Sequence, residues 1–367
     1  MKKIGSLAAA AAMCLSVLCA CSESNGDSSE SAADHSSAAI SSSVSESSSA
    51  DESSAADSSE DSSDSSKEDT ADSSGKEDSD NNPDGITPAM WTVTSPNGNT
   101  MTMFGSIHAL TDDCYPLPEE ITNAYENADI LAVECDVTVQ TEDAEYQKNL
   151  MKQMLYNDGS KLSDHISEDA FTALDTYMQT WGMSAESFEV YRPWAIDSTL
   201  ESLVIMETGL DTTKGIDLYF LNLAHEENKE IYEIESVDFQ MNMLMNFSDD
   251  IYGTIFKSYG EETADSQKQL MNEMISAWKN GDIETFIEDQ DEDESGYSEE
   301  DLKNIKEYNN ILLYDRNINM VKSAEQLMDE GKNVFYVVGA AHYAGEGGII
   351  DLLEKDGYKA ERVEYGK

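Results

Sequence analysis

Basic residues and cysteines are scarce in this sequence. Against 75 Asp and Glu the chain carries 22 Lys and Arg, a formal net charge of −53 over 367 residues. A surface of that sign repels phosphate backbones and anionic headgroups, which argues against electrostatic binding to nucleic acid or to an anionic membrane and favours a cationic substrate or peptide. The five cysteines do not make a disulfide framework. Cys14 and Cys19 fall in an N-terminal apolar stretch and Cys21 closes it, so Cys114 and Cys135 are left as the one pair that an oxidising compartment would allow to bond. Histidine is equally sparse, at five. His35 lies in a polar run and reads as solvated, while His165 and His225 sit in polar helical surroundings and read as exposed. His108 and His342 remain.

Residues 1–20 read as a secretory signal: Lys2 and Lys3 precede an apolar stretch at 4–18 that is short for a membrane span. The stretch ends in Leu18-Cys19-Ala20-Cys21, which resembles a bacterial lipobox, with cleavage before Cys21 and a lipid on its sulfur. The alternative is an ordinary signal with chance cysteines. The lipobox reading makes the protein an extracytoplasmic bacterial lipoprotein, held to the cell membrane by its lipid anchor and by no other membrane contact. Residues 21–86 are Ser-, Asp- and Glu-rich, with eighteen acidic residues between Cys21 and Gly85 against Lys67 and Lys76. Such a segment buries too little apolar surface to offset its chain entropy and is expected to be a disordered, extended spacer. Residues 87–367 are long enough for one large domain with a substantial core.

That domain opens with two strand-like runs, 89–94 and 100–104, joined by Pro96-Asn97-Gly98, a hairpin signal. A helix is expected over 118–127. A buried strand follows from Ile130 to Val133 and ends abruptly in Glu134-Cys135-Asp136. From 142 to about 259 the pattern is largely helical, with candidates at 143–156, 168–181 (capped by Ser167), 195–206, 217–227 and 239–246. A short strand at 229–235, ending on Glu235, interrupts them. The methionines of 239–246 read as core rather than as a metal box. A further helix is expected over 261–280, and the acidic run at 289–294 lacks the spaced glycine and glutamate of a calcium loop. One long amphipathic helix is expected over 308–331, carrying Leu312, Ile318, Val321 and Leu327 as apolar positions and Arg316 part-way along. A continuous β-branched and aromatic run, 334–338, then reads as a strand covered on both faces, followed by a helix at 348–355 and a last strand near 362–365.

Four chemistry-bearing residues share one context. Met101-Thr-Met-Phe-Gly105-Ser-Ile-His108 and Val337-Val-Gly339-Ala-Ala-His342 each run a strand into Gly-x-x-His, and Glu134 and Glu235 each end a strand. In an α/β sheet such ends open into the crevice where ligands bind. Two imidazoles and two carboxylates form a donor set suited to a hydrolytic divalent metal (Zn, Mn or Co), with an open position for water and a glutamate free to act as base. The alternative is a pair of histidines satisfied by local hydrogen bonds. Arg316 would steady a substrate carboxylate or polarise a carbonyl, or else form a surface salt bridge.

The two Gly-x-x-His motifs, Val-Glu134-Cys-Asp, Ile-Glu235-Ser with Gln240, Arg316-Asn317 with Met320, and Gly339-Ala-Ala-His342 with Gly345 resemble the TraB/GumN family, related to the Tiki metalloproteases. The resemblance covers about residue 90 to the C-terminus. It implies an α/β (α+β) domain with a central mixed β-sheet flanked by helices and a large helical insertion. It also implies a metal-dependent peptidase, with His108, Glu134 and His342 at the site and Glu235 and Arg316 beside them. The substrate so implied is a peptide or protein. Relatives of this superfamily include esterases and haem- or iron-binding proteins, so a non-catalytic surface binding protein for a peptide, metal or haem, and a metal-independent esterase, stay open.

Overall fold

The first hairpin forms where two apolar-alternating runs flank a glycine turn. β1 (Met90–Thr94) and β2 (Thr100–Ser106) pair antiparallel, with Met90 opposite Phe104 and Thr94 opposite Thr100. Gly98, at φ +89°, donates its N–H to Ser95 O at 2.9 Å and closes the turn. The computed structural model describes residues 85–138, 144–287 and 297–366. The signal segment, the lipidation site Cys21, nearly all of the 21–86 linker and the acidic run at 289–294 lie outside the described residues.

In chain order, α1 (Glu119–Asn127) leads into β3 (Ile130–Val133). The helical stretch then comprises α2 (Ala144–Gln153), α3 (Leu162–His165), α4 (Glu168–Thr180), α5 (Pro193–Thr208) and α6 (Ile216–Glu227). β4 (Glu230–Glu233) is followed by α7 (Val237–Met245), α8 (Asp249–Tyr259) and α9 (Ala264–Asn280). Next come α10 (Glu299–Asn309), α11 (Asp315–Asp329), β5 (Val334–Gly339), α12 (Ile349–Lys355) and β6 (Lys359–Arg362). The helix starts carry their own signals: Ser167, Ser236 and Ser248 accept hydrogen bonds from Ala170, Phe239 and Ile251 N–H, and Pro193 opens α5.

The six strands form one mixed sheet in the order β4-β3-β5-β2-β1-β6. β4, β3, β5 and β2 run parallel, while β1 is antiparallel to both β2 and β6. All of β3 and the first five residues of β5 are buried, as expected of central parallel strands covered by helices on both faces. The aromatic centre of the core is Phe104, Phe220 and Phe335. Phe104 stacks on Phe335 at 5.8 Å and Phe220 meets Phe335 edge-on at 5.0 Å. Trp278, fully buried on α9, packs on Phe104 and donates from Nε1 to Gly105 O at 2.9 Å, tying the helical stretch to the end of β2.

Two expectations are corrected. The helix expected over 308–331 is preceded by α10, which starts at Glu299, and is interrupted at its beginning by a π-helical turn, Asn310–Tyr314, before α11. Within α11 the buried face runs through Arg316, Asn317, Met320, Val321, Ala324 and Leu327, and Ile318 falls beside it, 46% exposed. The last strand lies at Lys359–Arg362 rather than 362–365, because its register is set by pairing with β1, Trp91 opposite Arg362.

Candidate active site

Parallel register places four strand ends along one edge of the sheet. Ser106 of β2 lies opposite Gly339 of β5, and Val133 of β3 lies opposite both Val337 of β5 and Glu233 of β4. The ladder continues one step past β3 and β4: Ile234 N–H donates to Val133 O at 2.9 Å and Glu235 N–H to Glu134 O at 2.8 Å. Glu134 and Glu235 therefore leave the sheet side by side, with the β5 end next to Glu134.

Their carboxylates converge on Arg316 of α11. Its Nη2 donates to Glu134 Oε2 at 2.5 Å and to Glu235 Oε2 at 2.8 Å, and its Nε donates to Glu235 Oε1 at 2.9 Å. Nη1 is held by Leu312 O at 3.1 Å, a carbonyl of the π-helical turn. From α7, Gln240 Nε2 donates to both carboxylates at 2.9 Å, while Gln240 Oε1 accepts from the Cys135 thiol at 3.3 Å. The remaining oxygen, Glu134 Oε1, accepts from Gly339 N–H at 2.7 Å. A Cβ on Gly339 would sit 3.2 Å from that oxygen, so the first Gly of the second Gly-x-x-His motif permits close approach of backbone to carboxylate.

Burial by itself would raise the Glu134 pKa, but the Arg316 charge and the Gly339 N–H overcome it and hold the carboxyl well below the usual carboxylate range. Glu134 is a permanent anion. His342, fully buried, is pushed down to about 3 by desolvation and by Arg316, against the pull of Glu134. It is neutral at pH 7, so the charge that lowers Glu134 comes from Arg316 rather than from this imidazole.

The His342 tautomer follows from its neighbours. Gly347 O has only lone pairs, so Asn317 must donate to it from Nδ2, at 2.9 Å. Asn317 Oδ1 then faces His342 Nδ1 at 2.6 Å and fixes the proton there. His342 Nε2 is left as a lone-pair donor 3.8 Å from Glu134 Oε1. His108 lies just beyond β2, near enough for its charge to act on both Glu134 and His342. Its Nδ1 is 2.6 Å from Asp217 Oδ2, an ion-pair contact off the line of a hydrogen bond. Asp217 opens α6, and the loop before it is clamped to the His108 backbone. Ile216 N–H donates to Ile107 O at 2.9 Å, and a Cβ on Gly215 would fall 2.3 Å from His108 O, so only glycine fits there.

The structure thus brings Glu134, Glu235, Arg316 and His342 into direct contact or near contact, with His108 alongside. His165 and His225 lie apart from them. His165 stacks on Tyr156 at 4.3 Å and contacts Asp249 at 2.9 Å, and His225 contacts Asp136 at 2.7 Å. Cys114 and Cys135 are buried thiols with no disulfide between them. Three functional neighbours were not singled out for a role in the sequence: Asp217, Gln240 and Asn317. Asp217 carried a signal, an acidic first-turn residue after a glycine; for the other two the signal was only their place in the family motifs.

The fit to a metal was tested on the donors. Among the described residues, no group of three or more His, Cys, Asp and Glu is placed to hold a metal ion. Both oxygens of Glu235 are taken by Arg316 and Gln240. His342 Nδ1 is engaged by Asn317 and His108 Nδ1 lies against Asp217, but the two imidazoles and Glu134 Oε1 do not stand as a metal site.

Fold and site together define an α/β protein with a buried Glu-Arg-Glu network and a His-Glu pair at the carboxyl edge of a mixed sheet. The chain belongs to the TraB/PrgY/gumN family, whose model matches residues 89–362. It is similar to the uncharacterized protein YbaP of Escherichia coli (strain K12), 27% identical over 71% of this chain and 90% of YbaP. It is also similar to the metalloprotease TIKI1 of Danio rerio, 21% identical over 72% of this chain and 61% of that protein, and to TIKI1 of Homo sapiens, 21% identical over 72% and 60%. No solved structure matches it.

Proposed function

We propose that this protein is a metal-dependent hydrolase of a peptide or protein, displayed outside the cytoplasm on a lipid attached to Cys21. The observation that carries the reading is the meeting of His342 Nε2 with Glu134 Oε1 at 3.8 Å, beside His108. Kinship with proteins named metalloproteases supports it. In this reading His108, His342 and Glu134 would have to draw together to hold a divalent ion, for which Zn, Mn and Co are the candidates. The chemistry such an ion supplies is activation of water near neutral pH and polarisation of a carbonyl. Asn317 orients the His342 imidazole through its hydrogen bond, and Asp217 lies against His108. Arg316 keeps Glu134 ionised, and Glu235 and Gln240 keep Arg316 and Glu134 in place. In the resting structure Arg316 spends its donors on the glutamates and Leu312 O, so its effect on substrate is exerted through the charge it fixes at Glu134.

One observation favours a second reading, capture without cleavage. Both glutamates already accept several hydrogen bonds from Arg316, Gln240 and, for Glu134, Gly339, which makes each a weaker base. Incubating the purified chain with a peptide mixture and Zn, Mn or Co, followed by mass spectrometry, separates the two. The hydrolase reading requires new product masses, their loss on chelation, and their loss in His108→Ala and His342→Ala. Stoichiometric peptide capture with unchanged masses would establish the second reading instead, and cleavage that survives strong chelation would point to the metal-independent esterase-like route.

A further inference from the structure

Helices α2 and α7 follow the carboxyl ends of the neighbouring strands β3 and β4, so the space between them opens on the same sheet edge as Glu134 and Glu235. A cavity of about 310 Å³ lies there. Leu150, Met241 and Met245 supply its apolar lining, with Leu150 and Met241 buried. The rim is polar: Asn149 and Gln153 on α2, Asp238 and Asn242 on α7. Tyr146 completes the lining from α2, and burial raises its pKa, with Asp238 and Cys135 adding to the shift. The far side of the α7 wall is Gln240, which holds Glu134 and Glu235. Among the described residues that line the cavity none is basic, while Lys152 Nζ reaches the rim, 3.4 Å from Asn149 Oδ1.

An apolar floor with a ring of amides and one carboxylate is the composition of a peptide side-chain pocket, and the volume sits at the small end of ligand cavities. Unbranched methionines adapt to side chains of different shape. Amide side chains satisfy both N–H and C=O of an extended backbone. We propose that this groove is a substrate subsite: an extended peptide lying along the carboxyl edge of the sheet seats an apolar side chain on Leu150, Met241 and Met245 and sets a basic residue against Asp238. The proposal deepens the hydrolase reading and rests on it for the word substrate.

The test uses the full chain and fluorescein-labelled dodecapeptides in a Gly-Ser background, one carrying Lys-Leu, one Glu-Leu and one Lys-Asp. Binding is followed by fluorescence polarisation in excess chelator, so that hydrolysis plays no part. The Lys-Leu peptide should bind tightest. Asp238→Asn should weaken it about fivefold, an effect that shrinks with added salt, and Asp238→Lys should shift preference to Glu-Leu by about tenfold. Met245→Asp should weaken every Leu peptide. Equal binding of the three peptides, no binding, or indifference to both Asp238 variants would overturn the groove assignment. Mass spectrometry of the same peptides with metal restored keeps the two readings apart. Discriminating binding without cleavage leaves the groove standing and removes the hydrolase, whereas cleavage that ignores Asp238 and Met245 does the reverse.

Discussion

Replacing Arg316 by methionine removes one cation from between two buried carboxylates while keeping the length and much of the volume of the side chain. Both glutamate side chains are 6% exposed and the arginine 3%, and the guanidinium makes contacts of 2.5 and 2.8 Å through one nitrogen alone. Removing one partner from a buried ion pair costs about 3–5 kcal/mol, because the other is left as an unpaired charge. Here two anions are left facing the same Gln240 amide, which places the variant toward the upper end of that range at pH 8. The penalty depends on pH with a definite sign. In the native protein the Glu134 pKa is depressed, so the stability it contributes is fully present above its unfolded value near 4.5 and is lost as pH falls below that toward the depressed folded value. In the variant, burial acts unopposed by the guanidinium, one carboxyl binds a proton in the fold, and the variant loses stability as pH rises. The gap between the two proteins should widen from pH 4.5 to pH 8. Urea denaturation at those two pH values, in excess chelator, measures it. A difference below about 1 kcal/mol at pH 8, or one independent of pH, would refute the account of Arg316 as the charge that makes Glu134 an anion. Adding Glu134→Gln to the variant should recover part of the loss.

Asn317→Leu removes the acceptor that holds the proton on His342 Nδ1, so nitrogen NMR should show the imidazole redistributing between tautomers, and metal affinity by calorimetry should fall about 10- to 100-fold. Gly215→Ala forces a Cβ to within 2.3 Å of His108 O and should cost about 1–3 kcal/mol in denaturation, with the amide signals of residues 107–109 displaced. Asp197, buried on α5 and hydrogen-bonded by Tyr259 at 2.6 Å, is raised to about 6 by desolvation, with the tyrosine pulling the other way. Its raised pKa means stability present below about 4 and lost as pH rises through 6, so Asp197→Asn, which still accepts from Tyr259, should flatten the pH profile between 4 and 7 by up to about 3 kcal/mol. Unaltered curves in that window would count against it.

Much of the site was legible because its residues sit where chain direction changes. A buried run such as 130–133 that turns acidic at Glu134, or a run that turns to glycine and histidine at 339–342, announces a strand end, and parallel strand ends share an edge. Elements with strong local chemistry were equally legible: the Pro96-Asn97-Gly98 hairpin, the Ser167 cap, the Pro193 helix start. Arg316 was harder to read. The buried face of α11 runs through Arg316, Asn317, Met320 and Val321 with Ile318 beside it, so a charged residue takes the core-facing position and an apolar one does not. Which of two neighbouring positions is buried is decided by contacts across the chain, here the Arg316 bonds to Glu134 and Glu235, and leaves no periodicity behind.

The sequence by itself determined the composition of the site and the order in which the chain supplies it: two Gly-x-x-His ends, two glutamates and one arginine in a domain poor in basic residues. It did so because strand ends, caps and turns are local and each residue type there has a local reason. Tertiary structure alone decided how these groups divide the work. Strand order set Glu134 beside the β5 end, α11 brought Arg316 to both glutamates at once, and α6 and α11 placed Asp217 and Asn317 behind the two imidazoles. Which carboxylate stays ionised and which nitrogen keeps its proton depend on distances between segments far apart in the chain, and such distances exist only once the sheet has formed.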